Sequence, residues 1–349
     1  MLVIDGRRIG PGRPLYVIAE LSCNHHGRYA EAVRAVRAAK DAGADAVKLQ
    51  TYTPDTMTLD APQPWFRIKG TIWNGRGLYE LYHEAMTPWE WHAPLQKLAR
   101  SLGLTLFSSP FDASAVDFLK GLGMPAYKIA SFENGDLPLI RKVAGTRKPV
   151  ILSTGTATTR EVDEAVATLK AAKAKFALLK CVSAYPAPES EMNLRAIPAL
   201  AARHGVPVGL SDHTLGATVA IAAAALGACV LEKHLTLSRK AGGPDAPFSM
   251  EPAEFKAMVA ALRCAQAALG DGKLGPAPSE APSRAFRRSL FVVKDLKKGE
   301  RLTTKNMRSI RPGNGLAPRD HDAALGRRAK VDIARGTPLS WDLLEKARR

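Results

Sequence analysis

A chain of 349 residues, 46% apolar and 24% charged, has the balance of a globular protein long enough for one large α/β domain and a small second one. No apolar run approaches the ~20 residues of a membrane span, the first residues lack a signal-peptide pattern, and the four cysteines (Cys23, Cys181, Cys229, Cys264) form no Cys-x-x-Cys pair, so reduced thiols in a cytoplasmic protein are expected. The net charge is +17, and residues 276–349 hold 18 Lys/Arg against 8 Asp/Glu; that tail has no interleaved aromatics and no DNA- or RNA-binding motif, so the reading is a solvated surface or one facing small anions rather than nucleic acid.

Short apolar runs alternate with Ala-rich amphipathic segments in chain order. Strands are predicted over 16–21, 46–52, 105–111, 126–131, 149–154, 176–183, 207–212 and 230–236. Helices are predicted over 29–42, 88–102, 113–122, 137–144, 160–173, 194–204, 217–226 and 251–269, several ending at a glycine such as Gly43, Gly103 or Gly205. Eight strand–helix units match a (β/α)8 barrel in count and size. An open doubly wound sheet is the competitor, but no Gly-x-Gly-x-x-Gly turn follows the first strand.

One connection, residues 53–87, is too long for a simple turn and carries Trp65, Phe66, Trp73, Tyr79 and Tyr82. It reads as a lid or substrate wall, or equally as a hydrophobic plug or dimer contact. Barrel residues 1–271 are followed by a Pro-rich linker, 272–283, with Pro276, Pro278 and Pro282. Residues 284–349, short β runs punctuated by Gly299, Gly313, Gly315, Gly326 and Gly336, read as a small β-rich domain near the lower size limit for independent folding.

A parallel barrel keeps its chemistry at the C-terminal strand ends. Those ends carry Glu20 with Asn24-His25; Lys48 and Gln50; Ser108-Ser109; Lys128, Ser131 and Glu133; Ser153-Thr154-Gly155; Ser183 and Tyr185; Ser211 and His213; and Glu232 and His234. Residues two apart in a strand share a face, so Ser211 aligns with His213 and Glu232 with His234. Taken alone, the two histidines read as buried, hydrogen-bonded side chains; on adjacent strand ends they are also a candidate pair of metal ligands. Lysines inside barrel strands are costly unless they meet anions. Two lysines, two histidines and several hydroxyls on one rim therefore fit one substrate with phosphate and carboxylate groups. The same parity turns Lys180 and Lys233 away from the site, toward outward ion pairs.

The chain resembles the sialic acid synthase family over nearly its whole length. The resemblance rests on Ala19-Glu20-Leu21, Asn24-His25, Lys48-Leu49-Gln50, residues 107–111, Tyr127-Lys128-Ile129-Ala130-Ser131, Ser153-Thr154-Gly155, Tyr185-Pro186, residues 209–214 and Glu232-Lys233-His234. Gly299-Glu300 and Arg311-Pro312-Gly313-Asn314-Gly315 resemble the family's antifreeze-like (SAF, β-clip) domain, and Trp89-Glu90-Trp91, Ser131-Phe132-Glu133 and residues 183–188 are most similar to its pseudaminic branch. The resemblance implies a TIM-barrel enzyme that joins phosphoenolpyruvate to an open-chain acetamido sugar, here a 2,4-diacetamido-2,4,6-trideoxyhexose. N-acetylmannosamine or its 4-acetamido-6-deoxy analogue is the alternative sugar.

The resemblance also implies roles. The divalent metal (Mn²⁺, Mg²⁺ or Co²⁺) falls to His213 and His234, and phosphoenolpyruvate contacts to Lys48, Ser109, Lys128, Ser131, Ser153, Ser183 and Ser211. Sugar contacts fall to Glu20, Gln50, Glu133, Tyr185 and Asp245, with Arg311 supplied by the other subunit of a domain-swapped homodimer. Glu20 or Glu133 handles the proton and water. Ser109 and Ser183 stand where the sialic acid branch usually has Thr and Asn, which puts the direct phosphate contact of Ser183 most in question. Two other readings stay open: a polysaccharide-binding tail on a vestigial barrel, and an aldolase-type Schiff base on Lys48 or Lys128.

Overall fold

Eight parallel strands close on themselves in a computed structural model that describes residues 1–346. They are preceded by a hairpin, β1 (Leu2–Ile4) and β2 (Arg7–Ile9). The barrel strands are β3 (Tyr16–Glu20), β4 (Ala46–Thr51), β5 (Thr105–Pro110), β6 (Tyr127–Ile129), β7 (Val150–Ser153), β8 (Phe176–Cys181), β9 (Val208–Asp212) and β10 (Val230–His234). They stand in sequential order, and β10 returns to pair with β3, aligning His234 with Glu20. A doubly wound sheet is thereby excluded. Most predicted strands run one to three residues too long, because the chain leaves the ladder as it bends onto the C-terminal rim.

Helices follow the strands where the periodicity places them, for example Tyr29–Asp41, Leu137–Ala144 and Ala196–His204. Local chemistry sets their ends. The Asp112 carboxylate accepts from the N–H groups of Ser114 and Ala115 at the start of Ala113–Gly121, and Thr158 with Glu161 forms a capping box before Thr159–Ala171. Gly205, at φ 70°, ends Ala196–His204 in the left-handed region open to glycine. The predicted helix over 88–102 differs: Trp89–Trp91 forms a 3-10 turn and the α-helix proper is His92–Ser101.

Strand parity divides the core. Val17, Val47, Leu49, Leu152, Leu178, Leu210 and Leu231 pack outward against the helices. Tyr16, Ile18, Ala46, Phe107, Ile151, Ala177, Leu179 and Val230 fill the lower interior together with Leu2, Ile4 and Ile9 of the hairpin. The hairpin thus plugs the N-terminal mouth. Its three-residue strands are too short to show a period in the sequence. Above this apolar plug the inward column turns polar.

Contact density divides the chain into two units, Met1–Gly270 and a second that begins at Asp271. In the second, β11 (Ser289–Val292) and β12 (Met307–Ile310) pair antiparallel over a core of Leu290, Val292, Leu296, Leu302, Met307, Ile333, Leu339 and Leu344. Gly315 lies so close to Leu290 O and Leu339 that a Cβ there would collide with backbone. Among the described residues no helix is long and apolar enough to cross a membrane.

Candidate active site

The polar end of the barrel interior is a four-membered charge cluster. Lys48 Nζ lies 2.5 Å from Glu20 Oε2 and 3.7 Å from Glu232 Oε1, and donates to Ser109 Oγ at 3.1 Å. Lys128 Nζ donates to the same Glu232 oxygen at 3.3 Å, as does Ser211 Oγ at 3.2 Å. All of these side chains are buried. Burial opposes the charge on Lys48, but Glu20 and Glu232 outweigh it and hold the ammonium above its ordinary value. Burial pulls Lys128 below its ordinary value, with Glu232 opposing. Glu232 is likewise penalised by burial, yet Lys128 and Lys48 bring its carboxyl below the usual range. The lysines therefore meet carboxylates within the protein.

Glu20 Oε1 accepts from Ser22 N–H at 3.0 Å and Gln50 Nε2 at 3.2 Å, and Oε2 faces the Lys48 ammonium; burial, opposed by Lys48, raises its carboxyl above the ordinary range. Glu133 has no ion pair among the described residues: its Oε2 is buried with no hydrogen-bond partner, and burial pushes the carboxyl up to about 7.

His213 and His234 come together at the ends of β9 and β10, ring centroids 5.4 Å apart. His213 Nδ1 meets Val182 O at 2.9 Å, which leaves Nε2 free for another partner. His234 Nδ1 lies 3.6 Å from Asp245 Oδ2, beyond hydrogen-bond reach, and is buried without a partner among the described residues. Burial, with the nearby His213, drives His234 well below its ordinary value, so it is a neutral imidazole with a lone pair to offer. No group of three or more His, Cys, Asp or Glu arranged to hold a metal occurs among the described residues.

A cradle of hydroxyls sits on the same rim. A Cβ on Gly155 would overlap Ser183 Oγ and come within 2.6 Å of Ser131 Oγ, so glycine keeps this corner open. Ser153 Oγ is buried with no partner among the described residues, and Asn134 Nδ2 donates to Ser153 O at 2.9 Å, fixing the loop. Hydroxyls left unmatched in a buried corner await an acceptor-rich ligand.

These groups share a cavity of about 350 Å³, within the range of small-molecule sites. Of the predicted residues, Lys48, Gln50, Lys128, Ser131, Glu133, Ser153, Tyr185, Ser211, His213, His234 and Asp245 line it. Glu20 and Ser109 stand behind Lys48, and Ser183 beside Gly155, with its Oγ 3.8 Å from Cys181 Sγ. Arg311 belongs to the second unit, in the residue after β12. Ser22, Cys23 and Glu232 also line the cavity; parity placed Glu232 on the face of His234 but assigned it no role, and nothing in the sequence singled out Ser22 or Cys23. Lys233 forms the expected outward pair, with Asp212 at 2.7 Å. Lys180 does not: its ammonium donates to Cys181 O at 3.0 Å, with no carboxylate partner among the described residues.

The 53–87 connection folds over the rim through Pro54–Met57 and Leu78–Ala85. Met57, Ile68, Trp73, Leu78, Leu81 and Tyr82 line the same cavity, so the segment is a wall of the site.

Comparison with known proteins bears on the whole chain. Residues 35–274 match the model of the NeuB family and residues 287–345 that of the SAF domain. The chain is 46% identical to the pseudaminic acid synthase of Helicobacter pylori, over 96% of this chain and 99% of the relative. It is 45% identical to that of Campylobacter jejuni, over 94% and 96%. Among solved structures, the N-acetylneuraminic acid synthetase of Leptospira borgpetersenii superposes with a TM-score of 0.73 at 32% identity, covering 81% of this chain and 94% of that one.

Proposed function

This chain belongs to the NeuB family, and on that premise we propose that it condenses phosphoenolpyruvate with an open-chain 2,4-diacetamido-2,4,6-trideoxyhexose, giving a pseudaminic-type nonulosonic acid and phosphate. The observation that carries this reading is that Lys48, Lys128, Ser131, Ser153 and Ser211 share one cavity with His213, His234 and Asp245. Ammonium groups and unmatched hydroxyls suit phosphate and carboxylate oxygens. Ser109 and Glu20 hold Lys48 and Ser183 stands beside Gly155, while Gln50, Tyr185 and Asp245 are the groups we assign to sugar hydroxyl and amide contacts.

C3 of phosphoenolpyruvate attacks the aldehyde carbon, water adds at C2, and phosphate departs with its bridging oxygen by C–O cleavage. Lys48 and Lys128 offset the substrate's negative charge. Glu133, the untethered carboxyl, takes the proton of the incoming water. A divalent ion, Mn²⁺, Mg²⁺ or Co²⁺, fits His213 and His234: His234 is neutral with an orphaned nitrogen and His213 is oriented by Val182 O, and two imidazoles leave positions for oxygen ligands. When bound, it supplies Lewis-acid polarisation of the sugar's carbonyl. A Schiff base on Lys48 is disfavoured because Glu20 holds that amine in its protonated form.

Phosphate release, assayed across a panel of acetamido sugars, tests this. The diacetamido sugar of altrose configuration is expected to be preferred over N-acetylmannosamine. A reversed order would favour the second reading, an N-acetylneuraminate- or legionaminate-type synthase, for which the Leptospira structure speaks.

The second unit has a part in the same proposal. The 272–283 tether can span about 40 Å when extended, enough to reach another barrel. The partner subunit's Arg311, a planar and permanently charged donor, would close the sugar end of the site in a domain-swapped homodimer. Mixing Arg311→Ala with His213→Ala chains tests this. A swapped dimer creates one hybrid site with both residues intact, so activity should return; no return in a proven heterodimer would refute the swap.

A further inference from the structure

The cavity has two chemically opposite halves. The strand ends supply ammonium, carboxyl, hydroxyl and imidazole groups, whereas Met57, Ile68, Trp73, Leu78, Leu81 and Tyr82 of the insertion supply an apolar face. That face is held in place. The Trp73 indole N–H donates to Pro244 O at 3.0 Å, tying the insertion to the loop that carries Asp245. The Trp73 ring lies 5.5 Å from Tyr185, whose ring is 4.5 Å from His213. A second aromatic group lines the same cavity: Tyr82 stands edge-on to Tyr52 at 5.7 Å, and Tyr52 to Phe111 at 5.3 Å. Two packed aromatic groups therefore face the cavity, one of them reaching His213.

Such a face offers nothing to phosphoenolpyruvate, whose oxygens lose hydration there without gaining a donor. It does suit the methyl groups of the second substrate. A 6-deoxy, bis-acetamido hexose carries three of them: C6 and the two acetyl methyls. N-acetylmannosamine instead carries hydroxyls at C4 and C6, with one acetyl methyl. Those hydroxyls would be desolvated against Leu78 and Met57 without partners.

We infer that the apolar wall of the insertion is the sugar-selecting element of the site, taking the C6 methyl and the 4-acetamido methyl by burial. This rests on the proposed condensation reaction and adds to it the residues that distinguish its sugars. Apolar walls discriminate a methyl from a hydroxyl modestly, by roughly 10²-fold in kcat/KM.

Measuring kcat/KM for both sugars in Met57→Gln and Leu78→Asn tests it, since both positions are half-buried and both replacements keep a side chain of similar shape. Each is expected to lower the preference for the 6-deoxy sugar by about tenfold, mainly through the sugar's KM, with the KM for phosphoenolpyruvate within about twofold of the parent. Met57→Leu and Leu78→Met, which keep the wall apolar, should retain the preference. Polar variants that change both sugars' kcat/KM equally, with unaltered melting, would overturn the assignment of the wall while the condensation reaction stands. A parent protein that releases phosphate with neither sugar would overturn the reaction itself, and the wall's role with it.

Discussion

Stripping divalent cations is expected to abolish phosphate release, and His213→Ala and His234→Ala should each stay inactive however much Mn²⁺, Mg²⁺ or Co²⁺ is returned. His213 Nδ1 meets Val182 O, with Cys181 Sγ 3.8 Å away, and His234 leaves a buried nitrogen without a partner among the described residues. A buried polar atom with no partner costs stability, so a fold retains it for another purpose. The loss of activity should therefore come without a matching loss in melting temperature. Calorimetric titration should show metal binding in the parent protein and its absence in both variants. Undiminished turnover in metal-free protein, or in either alanine variant, would refute a metal role for the pair.

Most of the fold was legible because barrel strands and helices differ in period. The inward column Ile18–Glu20, Ala46–Lys48–Gln50, Phe107–Ser109, Val230–Glu232–His234 alternates with an outward column of Val and Leu, and the switch from apolar to polar along it marks the cavity end of the barrel. The same alternation located His213, His234, Lys48 and Lys128 within the site. What it could not show was pairing. Glu232 joins both lysines only because β10 sits beside β9 and β3, closing the ring. A sequence reveals a lysine's direction but not the carboxylate across the barrel from it. The hairpin plug and the Gly155 corner escaped for related reasons: one is too short for a period, and the other depends on how closely the ends of β6 and β8 bring Ser131 and Ser183 to the backbone after β7.

Glu133→Gln is expected to lower kcat at pH 8 by roughly 10²- to 10⁴-fold, the usual worth of a positioned general base. Two carboxyls were candidates for this task, and their surroundings separate them. Burial raises the Glu20 carboxyl as well, but Glu20 is tied to Lys48, Ser22 N–H and Gln50, so taking up a proton would break an ion pair. Glu133 has a free oxygen, and burial, only partly offset by its own backbone N–H and by Lys128, holds it at about 7. It is thus half ionised near neutrality, able to accept a proton and then release it. In the parent protein kcat/KM should rise as pH climbs through about 7, where the carboxylate form appears; in Glu133→Gln that limb should vanish. Stability should move the opposite way. The folded chain keeps this proton from the ordinary carboxylate range up to about 7, where the unfolded chain has already released it. The native state then binds more protons across that window, and stability falls as pH rises through it. Glutamine removes the penalty, so relative to the parent the variant should gain stability between pH 4 and pH 8, by at most about 3 kcal/mol. A variant that is slower and yet more stable at pH 8 would fit a carboxyl retained for proton transfer. A variant with the parent's kcat and an unchanged limb near pH 7 would remove Glu133 from that role and return it to Glu20.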